Sequence, residues 1–375
     1  VNLDETPEEA GFRTTVRSWL ADNITPNLPT EPSFADRLAA DRKLGAAGYI
    51  GYTWPAEFGG GGAGPVYASI LDEECARVGI PRSLAPSRFG ADLLAPALIA
   101  HGSLEQLAEF LPRTRRADIV WCQGFSEPEA GSDLANVQSR LDDAGDHFRL
   151  SGAKIWTTQA HEAQWCFALV RSSRDAPRHH NLAFVLFDMQ QPGVTIRPLR
   201  RLTGDAEFNE LFFDQVRVER RHVVGGLHDG WKVAMTTMGA ERSYGQLSRY
   251  RAYAEQLTAI AAMVRQYRGE RRRVWEVELG MLAADLTGIR DSSYKITSLA
   301  AAGESVGVLP SVTKLWWSTT HQRLMDLGHE VAVETGGDLD FWLTEWLRSR
   351  AESIYAGTSQ VQRNIIGERM LGLPR

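Results

Sequence analysis

The spacing of apolar residues changes twice along this chain. Up to about residue 118 it is helical: Phe12, Val16, Trp19 and Leu20 recur at intervals that line one helix face. Tyr67 to Gly79 sets Ile70, Leu71 and Cys75 among Asp72, Glu73 and Glu74 in the same way. Between them, Gly59 to Gly62 followed by Ala63-Gly64-Pro65 marks a loop. A glycine run can cradle phosphate, but without a following Lys-Ser/Thr it reads as a flexible connection. Near Ile119 the pattern becomes that of strands rich in Val, Ile, Phe and Trp. They cover Trp121 to Ser126, His147 to Thr158, Gln164 to Arg171, Leu182 to Met189, Val194 to Leu199 and Glu210 to Val224. Turn signals such as Asp142-Asp143-Ala144-Gly145-Asp146 and Gln191-Pro192-Gly193 separate them. No long helical stretch intervenes and no G-x-G-x-x-G follows a strand, which points to an antiparallel β domain and away from a Rossmann unit. From Gly230 the pattern is helical again, with long segments from Trp231 to Tyr267, Val274 to Ala302 and Ser311 to Thr335 that suit an antiparallel bundle. The fold class expected is α+β: an N-terminal helical domain over 1–118, a middle antiparallel β domain over 119–227 and a C-terminal four-helix bundle over 228–375.

Composition narrows the function. A length of 375 residues allows a large core, and 43% hydrophobic with 23% charged residues is ordinary for a globular protein. The net charge of -6 argues against nucleic acid as a partner. The cluster Arg265, Arg268, Arg271, Arg272 and Arg273 accordingly reads as a solvated turn between helices. No apolar run is long enough for a membrane span, and the acidic start lacks a hydrophobic signal segment. Three widely spaced cysteines without a Cys-x-x-Cys pattern argue against a disulfide framework or a zinc site and fit a reducing, cytoplasmic setting. The nine histidines show no His-Glu-x-x-His spacing, and His179-His180 reads as a surface turn, so no metal site is expected.

Two distant segments carry the chemistry. Trp121-Cys122-Gln123-Gly124-Phe125-Ser126-Glu127-Pro128-Glu129-Ala130-Gly131-Ser132-Asp133 reads as a strand entering a tight turn dense in hydroxyl and carboxylate groups. Ile354-Tyr355-Ala356-Gly357-Thr358-Ser359-Gln360-Val361-Gln362-Arg363 reads as a helix end, a glycine and a new helix start, whose free N–H groups suit an anionic group. Both resemble the acyl-CoA dehydrogenase family, as does Thr53-Trp54-Pro55-Ala56-Glu57-Phe58-Gly59-Gly60. The α, β, α order is similar to that family along almost the full chain.

The resemblance implies FAD as cofactor and oxidation of an acyl-CoA thioester to its trans-2-enoyl form. In that chemistry a carboxylate removes the Cα proton while hydride leaves Cβ for the flavin. It places Gln123, Phe125 and Ser126 at the isoalloxazine edge and Ser132 in the CoA or flavin phosphate region. In Lys154-Ile155-Trp156-Thr157-Thr158 it packs Trp156 on the ring and gives Thr158 a hydrogen bond to it. Thr358 and Gln360 fall at the flavin phosphates, and Tyr355, Ala356 and Gly357 at the thioester. Without those neighbours, Trp156 reads as an ordinary core tryptophan.

Three departures qualify the resemblance. Many family members carry the base as the glutamate of Tyr-Glu-Gly-Thr, and here that position is Ala356. A minority place it earlier, before an arginine, which matches Met238-Gly239-Ala240-Glu241-Arg242 and assigns the base to Glu241 with Arg242 beside it. The Ala356 N–H is retained and is expected to hold the thioester oxygen. An Arg-x-x-Phe-Gly element that normally serves a neighbouring chain's FAD reads Arg265-Gln266-Tyr267-Arg268-Gly269, keeping the arginine and losing the aromatic. A Gln-x-x-Gly-Gly element reads Val333-Glu334-Thr335-Gly336-Gly337, losing the glutamine. The assembly implied is a homotetramer or a heterotetramer with a related chain, with electron-transfer flavoprotein as acceptor. Alternatives are a non-catalytic subunit of a heteromeric dehydrogenase, or a related flavin oxidase or monooxygenase. Branched, long or steroid-side-chain acyl groups fit the early base.

Overall fold

The computed structural model describes residues 5–29, 31–243 and 246–374, apart from the side chains of 241–243 and 246–248. Its helices are α1 (Pro7–Asn23), α2 (Phe34–Ala46), α3 (Pro65–Arg77), α4 (Ala95–His101), α5 (Leu104–Arg115), α6 (Gly230–Ser243), α7 (Gln246–Gln266), α8 (Arg272–Ala301), α9 (Leu309–Thr335), α10 (Leu339–Arg350) and α11 (Ser359–Arg369). Its strands are β1 (Trp121–Gly124), β2 (Arg140–Asp143), β3 (His147–Thr158), β4 (Trp165–Arg171), β5 (Leu182–Asp188), β6 (Val194–Leu199), β7 (Phe208–Glu219) and β8 (Val223–Val224). The helices start where local chemistry satisfies their free N–H groups. Thr6 and Glu9 cap α1 reciprocally around Pro7, and Ser33 with Asp36 and Ser103 with Gln106 form capping boxes on α2 and α5.

The chain packs as two compact units, residues 1–20, 64–83 and 242–375 in the first and 21–63 and 84–241 in the second. The first is a helical bundle whose core joins Ile260, Leu282, Leu286, Trp317, Leu324 and Val331 from α7, α8 and α9. Helix α10, which the sequence pattern does not announce, buries Trp342 over Gly328 of α9; a Cβ there would lie 2.5 Å from the indole. Helices α1 and α3 are tied by Glu74, 2% exposed, which accepts from Arg13, Arg17 and Arg77 at 2.8–3.0 Å. One helix expected from Trp231 to Tyr267 would include residues 244 and 245, which lie outside the described residues.

The second unit is built on a sheet of order β6-β7-β3-β2-β4-β5-β8, with β1 beside β4. The apolar runs of β4 and β5 are buried on both faces, which is why they sit centrally. The hairpin pairs are antiparallel as expected, but β1 runs parallel to β4, from Trp121↔Trp165 to Gly124↔Ala168. It enters directly from the region of α5 and not through a hairpin. β2 is hidden in the sequence because Leu141 is its one buried apolar residue. The expected strand from Glu210 to Val224 is divided, since a 3-10 turn at Arg220–His222 hands β8 to β5. The glycine run is not a flexible connection. Gly61 and Gly62 donate to Tyr52 and Trp54 carbonyls at 3.0 and 2.9 Å, and a Cβ on Gly60 would lie 2.0 Å from the Trp54 carbonyl oxygen. Glycine is required there by close packing. Among the described residues no helix is long and apolar enough to cross a membrane.

Candidate active site

In the second unit, β1 ends at Gly124 and leads through Phe125-Ser126 into a turn closed by reciprocal Glu127 and Ala130 backbone bonds of 3.0 Å. Beneath it lies Lys154 of β3, with no exposed surface. Its ammonium donates to the Phe125 carbonyl at 3.0 Å, the Leu169 carbonyl at 2.6 Å and Glu127 Oε1 at 2.8 Å, so all three N–H groups are used. Glu127 also accepts the backbone N–H groups of Gln138 and Ser139 at 2.5 and 2.9 Å. Burial pushes the Glu127 carboxyl up, but the Lys154 charge and these donors outweigh it and hold it below its ordinary range. Burial lowers the Lys154 ammonium, with Glu127 opposing.

This pair fixes two neighbouring surfaces. The Ser126 carbonyl accepts from Ile155 N–H at 2.9 Å, while its half-buried hydroxyl has no partner among the described residues. The β3–β7 register shifts between Lys154 and Thr157. At that bulge Trp156 adopts φ 61° and leaves 59% of its surface exposed, edge-on to Phe208 at 6.0 Å. A left-handed, outward-facing tryptophan is a strained arrangement typical of ligand sites. Thr158, two residues on from Trp156, and Gln123, paired with Phe167 of β4, are half-buried. The Thr157 hydroxyl is buried and unpartnered. Phe125, expected at the flavin edge, buries its ring edge-on to Phe167 and Phe184 at 6.0 Å.

Ser132 is exposed at the far end of this turn. The adjoining Asp133 pairs with Arg178 and lines a cavity of about 320 Å³ with Ala135, Asn136, Arg171, Arg178 and Asn181. Asn181 is 6% exposed, and its Oδ1 has no partner. Two arginines and amide groups around a cavity can hold a phosphate-bearing ligand.

In the first unit, Ala356 (φ 51°) and Gly357 (φ 87°) reverse the chain into α11. Thr358 caps that helix by accepting Val361 N–H at 3.1 Å, and Gln360 is exposed in its first turn. The fully buried Gln362 reaches back, donating to the Ala356 carbonyl at 3.0 Å and the Gly357 carbonyl at 3.4 Å. The carbonyls are thereby held inward, and the Ala356 N–H has no acceptor among the described residues. A Cβ on Gly357 would lie 2.4 Å from the Gln362 amide, so glycine is needed for both φ and space. Tyr355 is 43% exposed beside this turn.

Arg265 is exposed at the end of α7, its carbonyl accepting from Arg268 at 3.1 Å. Arg271 and Arg272 pair with glutamates, as a solvated turn requires. Glu241 and Arg242 lie in α6 by backbone, but their side chains are outside the described residues. Sequence reasoning missed Glu127 and Gln362. Both were present inside the two motifs, and only their burial shows that they hold the backbone.

A helical segment, a β-sheet domain and a second helical segment in this order define the fold of the acyl-CoA dehydrogenases. Residues 6–118, 122–216 and 228–371 match the N-terminal, middle and C-terminal domain models of that family. Acyl-CoA dehydrogenase IpdE1 of Mycobacterium tuberculosis (strain H37Rv) is 38% identical over 97% of both chains. IpdE1 of Mycolicibacterium smegmatis is 36% identical over 97% of both. The chain therefore belongs to the acyl-CoA dehydrogenase family and is a flavin-type acyl-CoA dehydrogenase. Among solved structures, the ChsE4–ChsE5 complex from Mycobacterium tuberculosis shares the fold with a TM-score of 0.85 at 23% identity over 100% of both chains. The Tcur3481–Tcur3483 steroid acyl-CoA dehydrogenase does so with a TM-score of 0.84 at 23% identity over 100% of both.

Proposed function

We propose that this enzyme removes the elements of hydrogen from Cα and Cβ of a bulky acyl-CoA thioester, with Glu241 as the α-proton base. The observation that carries this reading is the Ala356 turn. It presents an N–H with no acceptor among the described residues where the thioester oxygen is expected, and it has no carboxylate of its own. Holding that oxygen acidifies Cα and stabilises the enolate charge as Glu241 takes the proton. Arg242 beside it and Tyr355 and Gly357 around the turn orient the thioester. FAD, when bound, accepts the hydride from Cβ. The fit for that group is supported by the exposed, strained Trp156, the unpartnered Ser126 hydroxyl and the Lys154–Glu127 pair that fixes both. Gln123, Thr158, Thr358 and Gln360 would complete its contacts, and the cavity adjoining Ser132 suits the CoA phosphates.

For assembly we favour a heterotetramer with a related chain. Arg268 and Val333 stand exposed where the family donates an aromatic ring and an amide to a neighbour. Two of the similar structures are named as two-chain assemblies, one of them a steroid acyl-CoA dehydrogenase. Steroid-derived acyl groups are thus the favoured substrates, and a cytoplasmic electron-transfer flavoprotein the favoured acceptor.

The test is to purify the chain alone and with its related partner chain. Flavin per chain and bleaching of the flavin band by acyl-CoA thioesters would be measured, with identification of the product. The reading expects enoyl-CoA and flavin retention that rises with the partner. Absence of flavin in both preparations, or peroxide as the main reduced product in air, would overturn it.

A further inference from the structure

Helix α6 carries Glu241 near its end, so whatever holds the helix decides where that residue stands. The start of α6 is fixed by close contact. A Cβ on Gly230 would lie 2.4 Å from the Ala183 carbonyl carbon, so the helix meets β5 backbone to backbone. Trp231 stacks on His179 at 4.6 Å. Val233, Ala234 and Thr237 are buried. Apolar burial is non-directional and sets the rotation and height of a helix only loosely. A hydrogen bond fixes both through its distance and angle. Among the described residues of α6, only the Thr236 side chain makes such a bond to another element. Its hydroxyl lies 2.8 Å from Nε2 of His101, the last residue of α4.

Beyond Thr236 the hold weakens. The Thr237 hydroxyl turns back to the Val233 carbonyl of its own helix at 3.4 Å. A Cβ on Gly239 would meet nothing within 4 Å among the described residues, so no side-chain packing steadies the helix there. Glycine also loosens a helix relative to alanine. Glu241 follows Thr236 by five residues, about 7.5 Å along the axis. The protonation of His101 suits a fixed bond. Burial first and Lys232 next lower its ring below the ordinary value, with Asp229 opposing, so the ring is neutral at pH 7. The Thr236 hydroxyl is also 3.4 Å from the Lys232 carbonyl. One proton order fills both contacts: His101 Nε2–H donates to the hydroxyl, and the hydroxyl donates to the carbonyl.

We propose that His101 and Thr236 are a positioning pair, which sets the height and rotation of α6 and thereby places Glu241 for removal of the α-proton. The proposal rests on the reading of Glu241 as the base. A base displaced by about 1 Å costs up to about 100-fold in rate with no matching loss of binding. The pair therefore acts on the reduction rate and leaves Kd alone.

The test uses the holoenzyme, with its partner chain where flavin retention requires it, and a steroid-derived acyl-CoA thioester that the wild type oxidises. Anaerobic flavin reduction gives the limiting rate, and its substrate dependence gives Kd. The variants are His101→Phe, Thr236→Val, both together, and the conservative His101→Gln and Thr236→Ser, with Glu241→Gln alongside. His101→Phe and Thr236→Val should each lower the limiting rate by about tenfold, with Kd and flavin content within about twofold of wild type. The double variant should be no slower than the worse single one, because both break the same bond. His101→Gln and Thr236→Ser, which can still hydrogen-bond, should recover most of the rate. Wild-type rates in His101→Phe and Thr236→Val while Glu241→Gln is inactive would overturn the positioning pair alone. So would additive losses, or losses matched by weaker binding and lost flavin. A wild-type rate in Glu241→Gln would overturn the base reading, and the positioning pair with it.

Discussion

Lys154 Nζ lies 2.8 Å from Glu127 Oε1, with the lysine wholly buried and the glutamate 7% exposed. Through this pair β3, which carries Trp156, is bonded to the turn that carries Ser126. Breaking one side leaves an uncompensated buried charge. Glu127→Gln should therefore destabilise the protein by roughly 3–5 kcal/mol in denaturant titration and release flavin. Glu127→Gln combined with Lys154→Met should recover part of the loss. A single variant as stable as wild type would show that the pair does not hold the turn.

The second prediction concerns Gln362, which holds the Ala356 and Gly357 carbonyls. Gln362→Leu strands two carbonyls and should cost about 1–3 kcal/mol of stability. Because the Ala356 N–H then loses its orientation, kcat should fall more than tenfold. Steady-state kinetics with an unchanged kcat would contradict the role.

Much of this architecture was legible in the sequence, for a physical reason. Long helices and doubly buried strands such as β4 and β5 declare themselves by period and apolar content. β2 and α10 did not, since Leu141 alone is buried in the first, and Trp342 and Ser349 in the second. The parallel course of β1 depends on long-range pairing that no local pattern encodes. Within the site, motif residues were legible as a set, but their division of labour was not. Phe125 turned inward, while Glu127 and Gln362, given no role by the motifs, bond to the backbone of the two segments.

Glu74 gives the bundle an acid-sensitive clamp. Burial raises its carboxyl, but bonds from Arg17, Arg77 and Arg13 prevail and bring it from 4.5 to about 2. A depressed folded-state value means that the stabilisation is full above the unfolded value and is lost as pH falls through the folded one. That shift corresponds to roughly 3 kcal/mol. Glu74→Gln should therefore lower stability at pH 6, and its deficit relative to wild type should shrink between pH 4.5 and 2. A deficit constant over that window in denaturation midpoints would contradict the clamp.

The central claim is that Glu241, and no group at Ala356, removes the α-proton. The most direct measurement is the anaerobic, single-turnover bleaching of bound flavin by an acyl-CoA substrate in Glu241→Gln. Substrate Kd and flavin content are determined on the same preparation. The account predicts both near wild type and a reduction rate lower by about three decades or more, as expected for a lost essential base. Flavin reduction at close to the wild-type rate in Glu241→Gln would contradict it.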